Sequence, residues 1–186
     1  MNRNVWTELA VWSVLVVGCV LARLADHAAN VAPVAAVALF AGFWFGRRLL
    51  AVLCPLAAMV ASDAIIGGYN WGTMTVVYAA MMFPLAWRTV LRHKITPIRV
   101  GLCAASGSVV FFLSTNLAVW FFGTLYAKTA AGLAACFVSA LPFFRNKMLG
   151  DLAFAAVLFG GYAVLSHWRS SRVVKLHAAK SGLITD

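Results

Sequence analysis

Six mostly apolar runs follow one another along this chain with little polar sequence between them. They cover residues 5–24, 31–46, 49–66, 71–91, 98–125 and 148–168. A helix of about 20 apolar residues crosses the roughly 30 Å hydrocarbon core of a bilayer. Inside that core every backbone N–H and C=O must be paired within the protein, so such runs become helices. The pattern therefore predicts an all-α membrane protein, a six-transmembrane-helix bundle. Residues 1–168 form a single transmembrane domain in this reading, and 169–186 a basic cytoplasmic tail. Composition agrees, with 63% hydrophobic and only 11% charged residues, against about 25% charged in soluble domains.

Two segments need separate treatment. Residues 129–141 are apolar but too few for a span before Pro142, so they are expected to form a short re-entrant or interfacial helix in the last outer loop. Val16-Val17-Gly18-Cys19 loosely resembles a lipoprotein cleavage box. However, Arg3 is offset by Glu8, a poor signal-peptide start, so the first run is expected to remain as a helix.

The net charge is +10, and the basic residues sit between the runs and at the C-terminus. With six spans and both termini cytoplasmic, the outer side keeps only Arg23, Lys128, Arg145 and Lys147 of the 15 basic residues. That asymmetry obeys the positive-inside rule, and a seventh span would weaken it. The expected location is a bacterial cytoplasmic (inner) membrane, multi-pass. The charge then points to the lipid bilayer as partner, and not to nucleic acid. Cys19, Cys54, Cys103 and Cys136 form no CxxC pair and read as small buried hydrophobes.

An Asp at the centre of a span costs roughly 2.5–3.5 kcal/mol on insertion scales, so intramembrane polar residues mark either packing or function. Asp63 follows Ser62 near the outer end of the third span. Asn116 follows Ser114 and Thr115 in the fifth. Asp151 lies four residues after Lys147, and Arg145 and Asn146 precede it. Asp26 and His27 fall in the first outer loop. All of these fall on one side of the membrane in this topology, so they are expected to line one outward-facing polar cavity. The plainer reading pairs Asp63 with Arg145, lets Asn116 bond across helices, and sets Asp151 against its own helix N-terminus. Tyr69, Trp71, Tyr78, Trp120 and the neighbouring Phe121, Phe122, Tyr126, Phe143 and Phe144 surround the same region. They read as an interfacial aromatic belt or as the wall of a pocket for a ring-containing ligand.

Enzymatic signals are weak. Ser62, Asp63 and His27 supply triad components without a GxSxG elbow, and HExxH and P-loop motifs are absent. Non-enzymatic function is expected, and ATP-driven uptake would need a partner ATPase.

Several motifs are familiar. Arg23-Leu24 with His27 and Asn30-Val31-Ala32-Pro33-Val34-Ala35-Ala36 open the pattern. Ser62-Asp63 with Gly67, then Ser114-Thr115-Asn116-Leu117-Ala118-Val119-Trp120, continue it. Pro142-Phe143-Phe144-Arg145-Asn146 and Leu149-Gly150-Asp151 close it. Together they resemble the substrate-binding S components of energy-coupling-factor transporters, and most of all the solitary BtuM-type cobalamin transporters. The resemblance implies a six-helix bundle that takes up a micronutrient vitamin from the outer side, with or without an energising ATPase module. Cobalamin or another corrinoid is the ligand it names. The candidate binding residues are His27, Asp63, Tyr69, Trp71, Thr73, Tyr78, Asn116, Trp120, Arg145, Asn146 and Asp151, of which the resemblance implies Asp63, Tyr78 and Arg145 near the bound ligand. The resemblance also implies a cobalt-ligating cysteine just after the third span. Here Asn70-Trp71-Gly72-Thr73-Met74-Thr75 stands there. His27 is a possible cobalt ligand, and a cobalt without a protein ligand is the favoured expectation. The alternatives are a non-transporting membrane scaffold or assembly protein, for which the Gly18/Ala22 and Ala28/Ala32/Ala36 spacings would be partner contacts, and an intramembrane enzyme.

Overall fold

The computed structural model describes residues 4–25, 31–68 and 70–180. Among them the chain is all-helical. The elements are α1 (Val5–Leu24), α2 (Val34–Trp44), α3 (Arg48–Ile66), α4 (Trp71–Met82), a 3₁₀ turn (Phe83–Trp87), α5 (Arg88–His93), α6 (Pro97–Phe122) and α7 (Ala130–Lys180). Among the described residues, five helical stretches are long and apolar enough to cross a membrane: Val5–Leu24, Arg48–Ile66, Trp71–His93, Pro97–Phe122 and Ala130–Arg172. Their outward faces carry large apolar side chains such as Trp6, Val14, Leu21, Leu102, Leu149 and Val157. So much exposed apolar surface suits lipid and not water.

The sequence places the helix ends. Asn4 caps α1 through the Trp6 amide, and Asn70 caps α4 through the amides of Gly72 and Thr73. Thr96 does the same for α6 through Arg99. Gly67 ends α3 with φ of 98°, a left-handed backbone that only glycine adopts without strain.

α2 is the hub. It has 11 residues, about 16 Å, and every residue from Val34 to Gly42 is buried. It packs against α3, the 3₁₀ turn and α7. A helix apolar all round belongs in a protein interior, and here the other helices shield it from lipid. Its Ala and Gly residues allow the close approach that drives packing in a bilayer, where burial alone gains nothing. Gly42, for example, leaves room for Leu85, whose Cδ2 would lie 3.5 Å from an added Cβ. The same C-terminal half of α2 is tied to α7 by aromatic contacts. Phe40 meets Phe159 edge-on with centroids 5.3 Å apart, and Phe43 meets Tyr162 at 5.1 Å.

The C-terminal carbonyls of α2 meet two arginines. Arg88 donates to Gly42 O at 3.0 Å, Phe45 O at 2.8 Å and Gly46 O at 2.6 Å. Arg92 adds a bond to Phe45 O at 3.1 Å. These cations satisfy carbonyls that a helix end leaves without partners, and they sit at the negative end of its dipole.

The last third of the chain differs from the expectation. Residues 129–141 do not form a separate short helix. They are continuous with the last span in α7, which runs 51 residues, about 77 Å. Pro142 lies inside it. A proline removes one backbone bond, but membrane helices tolerate that when neighbouring groups compensate. The tail expected from residue 169 continues the same helix to Lys180.

Candidate functional site

The ends of α1, α3 and α6 and the beginning of α4 surround a cavity of about 500 Å³. Arg23, Ile66, Thr73 and Val119 line the part near those ends. Met81, Phe111 and Lys147 line the deeper part. Phe112, Phe143 and Phe144 form an aromatic wall, with Thr115 and Asn116 beside it. The Phe112 and Phe144 rings lie 4.6 Å apart, centroid to centroid, so α6 and α7 present one continuous aromatic surface.

Two ion pairs frame this cavity, one part-buried at its rim and one fully buried at its floor. At the rim, Arg23 Nη2 lies 2.6 Å from Asp63 Oδ1. Tyr78 OH donates to the other carboxylate oxygen at 2.7 Å. The pair joins the last turn of α1 to the last turn of α3, and Tyr78 adds α4. At the floor, Lys147 Nζ lies 2.5 Å from Asp151, one turn along α7, and the two side chains are 2% and 1% exposed. Ser108, near the middle of α6, donates to Asp151 Oδ2 at 2.7 Å. The Lys147 ammonium also sits 5.1 Å from the Phe111 ring centroid. An isolated charge so deep would be strongly disfavoured, and pairing plus hydrogen bonding is what makes it tolerable. Each pair turns its cation toward the cavity. Arg23 and Lys147 line it, whereas neither Asp63 nor Asp151 does.

The structure brings only part of the expected set together. Thr73 and Asn116 line the cavity, and the Asn116 amide donates to Phe112 O within its own helix at 2.7 Å. Asp63 and Tyr78 stand behind Arg23, and Asp151 behind Lys147. Asp63, Trp71 and Tyr78 border a second, more open groove of about 620 Å³ between α3 and α4. Trp120 serves the loop after α6, its indole N–H donating to Ala127 O at 2.9 Å. Lys128 donates to the Trp120, Phe121 and Gly123 carbonyls there.

Arg145 and Asn146 were expected in a loop before the last helix. They lie inside α7, and neither lines the cavity. Arg145 is exposed, and the partner of Asp63 is Arg23. His27, with Asp26, and Tyr69 lie outside the described residues. Ser62 is buried, with its hydroxyl donating to Ala58 O at 2.7 Å. Among the described residues no three His, Cys, Asp or Glu side chains cluster as a metal site would need.

The residues missed from the sequence are Arg23, Lys147, Ser108, Phe111 and Phe112. In the sequence Arg23 stands as an outer-side charge and part of a motif, and Lys147 as an outer-side charge near Asp151, with neither marked as a binding residue. The four-residue step from Lys147 to Asp151 was the one available signal, and it became meaningful once α7 proved continuous.

The fold and site define a multi-pass α-helical membrane protein with an aromatic-walled cavity set between a part-buried and a fully buried ion pair. The chain belongs to a family described as a family of unknown function (DUF6580), whose model matches residues 3–174. No curated protein and no solved structure matches it.

Proposed function

We propose that this protein is a membrane-embedded substrate-binding transporter for a micronutrient, of the S-component kind, loaded from the outer side of a bacterial inner membrane. The observation that carries the reading is the cavity. It has a volume of about 500 Å³, within the roughly 300–1,000 Å³ range of small-molecule sites, and it has the apolar walls with few polar anchors that such sites share. Aromatic side chains from α6 and α7 supply stacking surface, and Arg23, Asn116 and Lys147 supply polar contacts. In this reading the buried α2 together with the flanking residues 31–33 and 45–47 makes the sixth crossing, both termini face the cytoplasm, and an ATPase module supplies energy where uptake is active.

Cobalamin, the ligand implied by resemblance, is the first to test. The cavity volume suits a smaller ring-bearing vitamin better, because a corrin with its nucleotide loop far exceeds drug size and would project past Arg23. The test is isothermal titration of the purified protein with cobalamin and a panel of smaller vitamins. Val77→Trp, which fills the cavity from α4, is the control. Saturable binding lost in Val77→Trp supports the reading. Binding that survives the filled cavity, or no binding across the panel, overturns it.

A further inference from the structure

We infer that the ligand of this cavity carries a carboxylate or a similar anionic group, and that Arg23 is the residue that reads it. The inference rests on the binding role proposed above and adds the chemistry of the ligand. It comes from the arrangement of the two ion pairs. Both cations, Arg23 and Lys147, belong to the cavity lining, and both carboxylates lie outside it. Asp63 borders the separate groove between α3 and α4, and Asp151 is held by Lys147 and Ser108. Among the described residues, the cavity therefore meets donor groups at its rim and floor and no carboxylate.

The remaining polar groups differ in kind. The Thr115 hydroxyl donates to Phe111 O and the Asn116 amide to Phe112 O, so both offer mainly acceptor oxygens. Lys147 bonds both oxygens of Asp151, which leaves it little spare donor capacity. Arg23 is different. Its guanidinium has five N–H donors in a rigid fork, and among the described residues it makes a single hydrogen bond, to Asp63. Its side chain is 18% exposed and forms part of the cavity lining. Such a fork matches a carboxylate bidentately, which lysine cannot do. Asp63 and Tyr78 hold it in place from behind. An anion on the cavity side lies nearer to Arg23 than to Asp63, and Lys147 adds positive potential from below.

The probes are 2-naphthoate and its neutral match, 2-naphthamide, titrated into purified protein. The acid is expected to bind at least about tenfold more tightly than the amide. Arg23→Lys keeps the charge but loses the fork, and is expected to remove most of that preference. Arg23→Gln alone leaves Asp63 buried without its cation and can lower folded yield. The double variant Arg23→Gln with Asp63→Asn removes both charges together and keeps the test readable. It is expected to bind the amide within about threefold of the parent and the acid at least about tenfold more weakly. Equal or tighter binding of the amide to the parent protein overturns the inference and leaves the binding role standing. An acid preference that survives in both Arg23→Lys and the double variant overturns the assignment to Arg23. Binding of neither probe overturns the inference, whereas the vitamin panel decides the binding role separately.

Discussion

Lys147 and Asp151 form an ion pair within a single turn of α7, 2.5 Å apart and almost wholly withdrawn from solvent. Ser108 of α6 completes the carboxylate's hydrogen bonding at 2.7 Å. The pair thus links the two helices that build the aromatic wall, and it forms the cavity floor. Breaking it from one side leaves a charge stranded in an apolar interior, which costs about 3–5 kcal/mol, whereas replacing both partners with apolar residues is often neutral. Lys147→Met is therefore expected to collapse the folded, monodisperse yield. Lys147→Met combined with Asp151→Leu is expected to restore it. Size-exclusion profiles and melting temperatures in detergent check this. Equal yields for the single and double variants would show that the pair carries no such coupling.

Arg145 sits two residues before Lys147 on the same helix, yet it is exposed and does not line the cavity. Arg145→Ala is expected to change stability by no more than about 0.5 kcal/mol and 2-naphthoate affinity by less than about twofold. Thermal melting and titration of the variant decide this. A selective loss of binding would return Arg145 to the site.

Arg88 satisfies three carbonyls at the end of the buried helix α2. Hydrogen bonds to charged groups contribute about 1.5–3 kcal/mol each, though shared donors rarely add fully. Arg88→Ala is expected to lower the melting temperature clearly, and Arg88→Lys by a smaller amount. Arg99 is the comparison. It also lies in the basic set, but its side chain makes one long bond, 3.4 Å, to Lys94 O, and Arg99→Ala is expected to be nearly silent. Equal shifts for the two alanine variants would remove the capping role.

Much of this architecture was legible from apolar run length, because lipid enforces helices wherever about 20 apolar residues adjoin. The helix ends at Asn4, Asn70 and Thr96 follow from capping chemistry. Pro142 misled, because it ends a helix in water more readily than in a bundle. The site was harder to read. Arg23 and Asp63 are 40 residues apart, and nothing local in either segment says that the ends of α1 and α3 meet. Arg88 and Arg92 read as topology charges, which hid their work on the carbonyls of α2. Asn116 was noticed for its polarity and does reach the cavity. Trp120, noticed for the same neighbourhood, turns to the loop after α6, and residue type alone could not separate the two.

Topology offers an independent check. Lys94 and Thr124 flank α6, a helix of 26 residues, so they belong on opposite faces of the membrane. In a background with all four cysteines replaced by alanine or serine, Thr124→Cys is expected to react with a membrane-impermeant thiol reagent on intact cells. Lys94→Cys is expected to react only after lysis. The reverse result would invert the proposed orientation, and labelling of both on intact cells would deny α6 as a span.

The most direct measurement is native mass spectrometry of the protein released from its own membranes. Wild-type protein is expected to carry a small-molecule adduct. Val77→Trp, which occupies the cavity lined by Arg23, Phe112 and Lys147, is expected to lose that adduct while melting as the parent does. The same adduct on both proteins, or none on either, would contradict a ligand-binding cavity.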